Sequence, residues 1–304
     1  MRRDLTDTTA SAVRTELVRA SQQLGGLATG VVLNLIIVTD ESAQHDAVQA
    51  AAQAGREHPC RVLCVIVRNA VAASRLDAEI TVGETAAGQM VLLRIYGELG
   101  LHADSVITPL LVPDTPVVTW WPGRAPSEPA LDPLGVLAQR RITDAAASAV
   151  PGETLRALAA GYQPGDTDLA WTRTTRWRSL LAATLDRPHG EVAAVTVSAE
   201  PGNCSAELLT AWLAGRLGVP VSLDTSGGPG ITRVAFSAGA GEIVISRPDG
   251  RHATLSRPGE PDHHLALHRR EIADLLAEEL RRLDPDEVYG EALAVLAAGV
   301  AARG

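Results

Sequence analysis

The sequence predicts an α/β protein of two domains. The N-terminal domain carries a mostly parallel, helix-covered sheet, and the C-terminal domain a mixed or antiparallel sheet with terminal helices. Three observations predict this. The chain has 304 residues, room for about two domains of roughly 150 residues each. In its first half, β-branched apolar runs alternate with segments of helical periodicity. In its second half, short strand patterns follow one another across Gly-Ala-Gly and Pro-Asp-Gly turns, which reads as an antiparallel meander.

In chain order, Val13, Leu17 and Leu24 stand at helical spacing and end at Gly25-Gly26, a glycine stop. Val31–Val38 is a strand buried on both faces, Ser42–Arg56 a helix, and Arg61–Arg68 a second strand. Ala78–Val82 is a third strand, with a helix expected from there to about Leu99. Val106–Val112 reads as extended before the break Pro113-Asp-Thr-Pro116, and Val117–Thr119 runs into Trp120-Trp121. A Pro-rich surface loop spans Gly123–Pro133, and residues 134–160 read as helix, strand and helix. The run 161–168 is the expected junction, giving domains 1–165 and 166–304. Beyond it come a helical stretch Leu169–Leu185, a strand Val192–Ala199 and a helix Cys204–Leu217. The strands Ile231–Phe236, Glu242–Ser246 and Ala253–Ser256 precede two closing helices. The last is expected to start with Asp284 as N-cap and Pro285 as first residue, and to bury Tyr289, Leu293, Leu296 and Val300.

Charge narrows the function. The net charge is −9, which argues against nucleic acid or an anionic membrane as partner. No Lys is present, which removes Schiff-base chemistry and any phosphate loop that needs its Lys. Met1–Ala20 contains Asp4, Asp7 and Glu16 without an apolar core, and no apolar stretch reaches membrane-spanning length, so a cytoplasmic protein is expected. Three Cys make no disulfide framework. Cys60 and Cys64 on one strand stand roughly 13 Å apart, beyond bridging range, and read as reduced core thiols.

The conventional motifs are incomplete. Gly83-Glu-Thr-Ala-Ala-Gly88 resembles a phosphate loop but has Gln89 and Met90 where Lys and Ser/Thr are needed, so it reads as a strand-to-helix turn. Gly227-Gly-Pro-Gly230 precedes a strand and opens no helix, the wrong setting for a dinucleotide fingerprint. His263, His264 and His268 lack an acidic ligand at a zinc spacing and read as the solvated start of a helix. No Gly-x-Ser-x-Gly and no His-Glu-x-x-His is present. No catalytic residue, cofactor or metal is therefore assigned, and the chain is not read as an enzyme.

Aromatic residues say more. The chain has five Trp, three Tyr and one Phe, and four of the Trp fall in two short runs. One run holds Trp120 and Trp121, which on a strand point to opposite faces, one into the core and the other outward or under a loop. The other is Asp168-Leu-Ala-Trp-Thr-Arg-Thr-Thr-Arg-Trp-Arg178, where Arg173, Arg176 and Arg178 accompany Trp171 and Trp177. Trp and Arg are enriched where proteins bind one another. Trp120, Trp121, Arg173, Arg176, Trp177 and Arg178 are therefore the expected partner-binding residues, weighed against a core cap with Arg stems along it. An enzyme or sensor that clamps a sugar phosphate or nucleotide with the same arginines is the alternative, and a Gly83–Gly88 anion cradle a third reading.

These two runs resemble the OpcA family, the glucose-6-phosphate dehydrogenase assembly proteins of actinobacteria and cyanobacteria. Pro113–Pro126 and Asp168–Arg178 look like family hallmarks. Gly88–Arg94 through His102–Ser105 and Glu278–Gly290 fit as well, so the resemblance spans about residues 25–300. A Lys-free, Ala- and Arg-rich chain suits an actinobacterial member. The resemblance implies a non-catalytic partner that promotes assembly or activation of glucose-6-phosphate dehydrogenase, the NADP-reducing first step of the oxidative pentose phosphate pathway. Cyanobacterial members are linked to thioredoxin control through cysteines, and Cys60, Cys64 and Cys204 form no obvious pair for it. A small-molecule effector is left unspecified.

Overall fold

A computed structural model describes residues 1–23, 30–68, 71–83, 88–187 and 190–301. The glycine stop at Gly25-Gly26 and residues 84–87 of the glycine loop lie outside these. In chain order the first elements are β1 (Arg2–Leu5), α1 (Ala10–Gln23), β2 (Leu33–Thr39), α2 (Gln44–Ala54), β3 (Cys60–Val67), β4 (Arg75–Val82) and β5 (Gln89–Tyr96). Next come α3 (Ala103–Ile107), β6 (Val117–Trp120), β7 (Arg140–Thr143), α4 (Pro151–Ala160) and β8 (Asp166–Asp168). The second half follows with α5 (Leu169–Thr172), α6 (Thr175–Leu185), β9 (Val192–Ala199), α7 (Cys204–Leu217), β10 (Val221–Thr225) and β11 (Ile231–Ala238). The chain ends with β12 (Gly241–Ser246), β13 (His252–Ser256), β14 (His263–Ala266), α8 (Ile272–Arg281) and α9 (Glu287–Ala301).

Two compact units form. The first comprises 1–144, 165–167 and 272–285, and the second 145–164, 168–271 and 286–304, so the chain passes between them several times rather than at one junction. The first unit holds the eight-stranded sheet β1-β4-β5-β3-β2-β6-β7-β8. Its centre is parallel, because β2 pairs in parallel with β3 and β6, β3 with β5, and β6 with β7. Strands buried on both faces need apolar residues at nearly every position. Leu-Asn-Leu-Ile-Ile in β2 and Val-Leu-Cys-Val-Ile in β3 meet that need. α1 covers the sheet with Val13 and Leu17.

The helix expected up to Leu99 is instead β5, and this is the main correction in the unit. Its residues are fair helix formers, but Val91, Leu93 and Ile95 alternate into the core, and it pairs with β3 on one side and β4 on the other. Gly83 N–H bonds to the Gly88 carbonyl at 2.9 Å, so the glycine loop joins two antiparallel strands rather than opening a helix. The anion cradle expected there lacks its helix N-terminus. Val106–Val112 is likewise not extended. Ala103, Val106, Ile107 and Leu110 stand three and four apart, and their burial makes the segment helical. Residues 134–137 are turn, not helix.

The second unit holds the sheet β10-β9-β11-β12-β13-β14, parallel between β9 and β10 and antiparallel from β9 onward. α7 lies between two cores. Ala206, Leu209 and Leu213 meet the sheet, while Cys204 and Leu208 meet α4, α5 and α9. That double burial explains why α7 is apolar on nearly every side. Three further corrections belong here. His263 and His264 lie on β14, not at the start of a helix. α9 begins at Glu287, and its cap is Asp286, whose Oδ1 accepts the Tyr289 N–H at 3.0 Å. β10, largely exposed, carries no alternation to betray it. On α9 Tyr289 and Leu293 are buried as expected and Leu296 packs against the same core, while the Val300 side chain lies outside the described residues.

Candidate functional site

In the first unit, Asn34 lies buried in β2 and holds the Pro113–Pro116 break. Its Oδ1 accepts the Val112 N–H at 2.8 Å, and its Nδ2 donates to Thr115 Oγ1 at 2.6 Å. The chain is thereby fixed as it enters β6, and Trp120 and Trp121 follow, both 1% exposed. Trp121 is covered by the 129–135 segment. A Cβ added at Gly135 would stand 3.3 Å from the end of that indole and only 1.7 Å from the Pro129 carbonyl oxygen, so only glycine fits.

In the second unit, Asp168 caps α5 through its bond from the Ala170 N–H and also accepts the Ala145 N–H, both at 2.8 Å. Trp171 then packs on Tyr289 and donates its indole N–H to Asp286 Oδ2 at 2.8 Å. Arg178 stacks on the Trp171 ring at 3.7 Å and donates to Thr174 and Thr175. Asp286 thus caps α9 and holds Trp171 at once, which ties the run 168–178 to the run 278–290. Trp177 is buried in the sheet core.

Of the six expected contact residues, Trp120, Trp121 and Trp177 therefore lie inside their units, and Arg178 is half-buried against Trp171. Their bulk serves packing, because a flat indole stabilises most when all its surface leaves water. Arg173 and Arg176 do reach a concave surface. They line a cleft in the second unit with Arg247, Arg269 and Arg270. Sequence reasoning missed these last three, which lie far along the chain and converge only when β12 and the segment after β14 fold beside α6. Arg247 is 5% exposed and stacks on Trp177 at 5.0 Å. Its Nη1 and Nη2 donate to the Leu267 and Ile231 carbonyls, and its Nε–H is buried without a partner among the described residues. Burial, with the Arg269 charge second, pushes its pKa down to about 10.

The first unit presents a second place where a ligand would be sought. Its parallel strands run β5-β3-β2-β6-β7, the order of a doubly wound dinucleotide-binding sheet, and the turn after β2 is where such folds hold a pyrophosphate. Here that turn has no glycine. Asp40 Oδ1 accepts the Ser42 and Ala43 N–H groups, each at 2.9 Å, so the chain's own carboxylate takes the amides that a phosphate would need. Hydrogen bonding to Ser42 and Ala43 holds the Asp40 pKa below its usual value. Next to it, Glu41 is bound by Arg94 at 2.8 Å and faces Arg68 at 3.6 Å. These residues do not fit a dinucleotide. Among the described residues no group of His, Cys, Asp and Glu could hold a metal ion, and no helix is long and apolar enough to cross a membrane.

Comparison with known proteins gives two kinds of likeness. Among solved structures, a 3-ketoreductase from Actinomadura kijaniata is 11% identical with a TM-score of 0.48, over 87% of this chain and 94% of that one. An NAD binding oxidoreductase from Klebsiella pneumoniae is 11% identical with a TM-score of 0.49, over 90% and 98%. No curated protein matches the chain. At the level of families, the glucose-6-phosphate dehydrogenase subunit N-terminal domain matches residues 51–160 and the corresponding C-terminal domain matches residues 164–293. With both halves matched, the chain belongs to the OpcA family of glucose-6-phosphate dehydrogenase assembly proteins.

Proposed function

We propose that the chain is a non-catalytic, allosteric activator of glucose-6-phosphate dehydrogenase. The observation that carries this reading is the match of both halves to dehydrogenase-subunit domains. The self-occupied turn at Asp40 supports it, since a doubly wound sheet whose amide cradle is taken by its own carboxylate is poorly suited to hydride transfer. Activation then works by differential binding: the chain binds the active form of the dehydrogenase more tightly than the inactive one. A tenfold gain from a rare active form requires about 1.4 kcal/mol of preference. In this reading the buried Trp120, Trp121 and Trp177 shape the contact surfaces from beneath, and Arg173 and Arg176 meet the partner directly.

The test is to assay NADP reduction by the purified dehydrogenase alone, by this chain alone and by the mixture. The expected result is a rate in the mixture well above the dehydrogenase alone, saturating with added chain, and background for the chain alone. An unchanged rate in the mixture, or turnover by the chain alone, overturns the reading.

A further inference from the structure

We propose that the outer edge of β10 joins two copies of this chain, strand to strand, into a two-fold dimer. β10 ends the second unit's sheet, with β9 on one side and no strand of the described residues on the other. An open strand edge offers its backbone groups to another strand, and proteins blunt such edges with charge, proline or a bulge. β1, at the edge of the first sheet, carries Arg2, Arg3 and Asp4. β10 reads Val-Ser-Leu-Asp-Thr, with a single charged residue, no proline and every residue after Val221 exposed. The backbone shows which of them face outward. The Pro220 carbonyl accepts the Val195 N–H at 3.0 Å, and the Ser226 N–H donates to the Ala199 carbonyl at 2.7 Å. Successive strand residues turn their N–H and C=O to opposite sides. Residues 220, 222, 224 and 226 therefore serve β9, and Val221, Leu223 and Thr225 present their backbone groups to the open edge.

A second copy of the same strand is self-complementary to this edge. In the antiparallel register centred on Leu223, Leu223 exchanges both backbone bonds with the second copy's Leu223, and Val221 does so with the second copy's Thr225. All three outward residues are then paired. A register centred on Asp224 sets two carboxylates face to face, and one centred on Ser222 leaves Thr225 outside the pairing. The side chains match as well. Val221, Leu223 and Thr225 lie on the helix side of the sheet, beside Val195, Val197 and Ala199 of the core. Leu223 is 44% exposed there and, with Ala211, Ala214, Val295 and Leu296, lines a groove of about 740 Å³. The second copy's Leu223 continues this apolar layer across the axis and takes apolar surface out of water. On the opposite face each Asp224 comes beside the second copy's Ser222 and away from the other Asp224, so the charge of each strand meets a hydroxyl. Two chains of net charge −9 approach each other most readily where charge is sparse, as it is along β10. Identical patches that satisfy each other in this way make a closed dimer.

The full chain is followed by sedimentation velocity over a range of concentrations. We expect a dimer fraction that rises with concentration, and association at least about tenfold weaker in Leu223→Arg, with the melting temperature of the dilute protein unchanged. The register is tested with cysteines, since Cys60, Cys64 and Cys204 are buried. In the double variant Ser222→Cys/Asp224→Cys, each new thiol faces its counterpart across the axis with Cα atoms about 4.5 Å apart, within disulfide range. Oxidation with diamide should give a covalent dimer. Either single variant sets its two thiols on a diagonal of about 7–8 Å and should give none. A monomer at every concentration, a dimer that Leu223→Arg leaves intact, or single variants that cross-link as readily as the double overturns the proposal. Should Leu223→Arg melt early, the cysteine variants decide alone. A monomeric chain whose association with the dehydrogenase is lost in Leu223→Arg also overturns it, and would assign the edge to that partner. Dimerisation is measured on the chain alone, so its outcome is separate from that of the activation assay.

Discussion

Asp286 gives the clearest residue-scale prediction, since one carboxylate both caps α9 and accepts the Trp171 indole N–H. A lost cap costs about 1 kcal/mol and a buried donor left unpaired about 1–3 kcal/mol. Asp286→Ala should therefore destabilise the second unit by about 2–4 kcal/mol in urea unfolding, and Asp284→Ala should stay within about 0.5 kcal/mol. Equal effects would return the cap to Asp284. The sequence offers both aspartates two residues apart, and only the start of the helix at Glu287 separates them. The thiols were legible without the fold. Cys60 and Cys64 lie in β3 as the strand pattern indicates, all three cysteines are free and buried, and burial pushes the Cys60 and Cys64 thiols up to about 12. They should react with a thiol reagent only on unfolding. The unfolded chain releases these protons near the ordinary value of 9.0 and the folded chain does not, so their contribution to stability is intact below that pH and falls as pH rises toward 12. Rapid labelling of native Cys60 or Cys64 would contradict the burial.

At the scale of elements, the segment over Trp121 is defined by backbone proximity rather than by any motif. Gly135→Ala places a methyl against the Pro129 carbonyl and should cost about 1–3 kcal/mol, with a change in Trp fluorescence as the cover over Trp121 shifts. A variant with native stability and emission would show that the segment adapts. Strands with apolar alternation, such as β9 and β11, were readable to within two residues, and so was α7. β5 was not, because its residue types favour a helix and only pairing with strands distant in sequence decides against it. β10 escaped for the opposite reason: as an exposed edge it has no buried face to impose a pattern.

For the whole molecule, the parallel strand order points to a ligand at the turn after β2, and the side chains there point away from one. Titration of the isolated chain with NADP or NADH should give no saturable signal, and saturable binding would refute the self-occupied turn. Asp40→Ala should lower stability by less than about 1 kcal/mol at neutral pH, since solvent screens this exposed carboxylate. Its folded pKa is depressed, so the benefit of Asp40 is present above the ordinary carboxylate value and disappears as pH falls through the lowered one. Variant and wild type should then converge in acid. From the sequence alone came the α/β class, most strands, the core thiols and the family, because local periodicity and two dense aromatic runs suffice for these. Tertiary structure decided that Trp120, Trp121 and Trp177 are interior, and that Arg247, Arg269 and Arg270 join Arg173 and Arg176 around one cleft. The reason is physical: periodicity reports which residues leave water, whereas convergence of charges far apart in the chain is set by how β12, α6 and the residues after β14 pack.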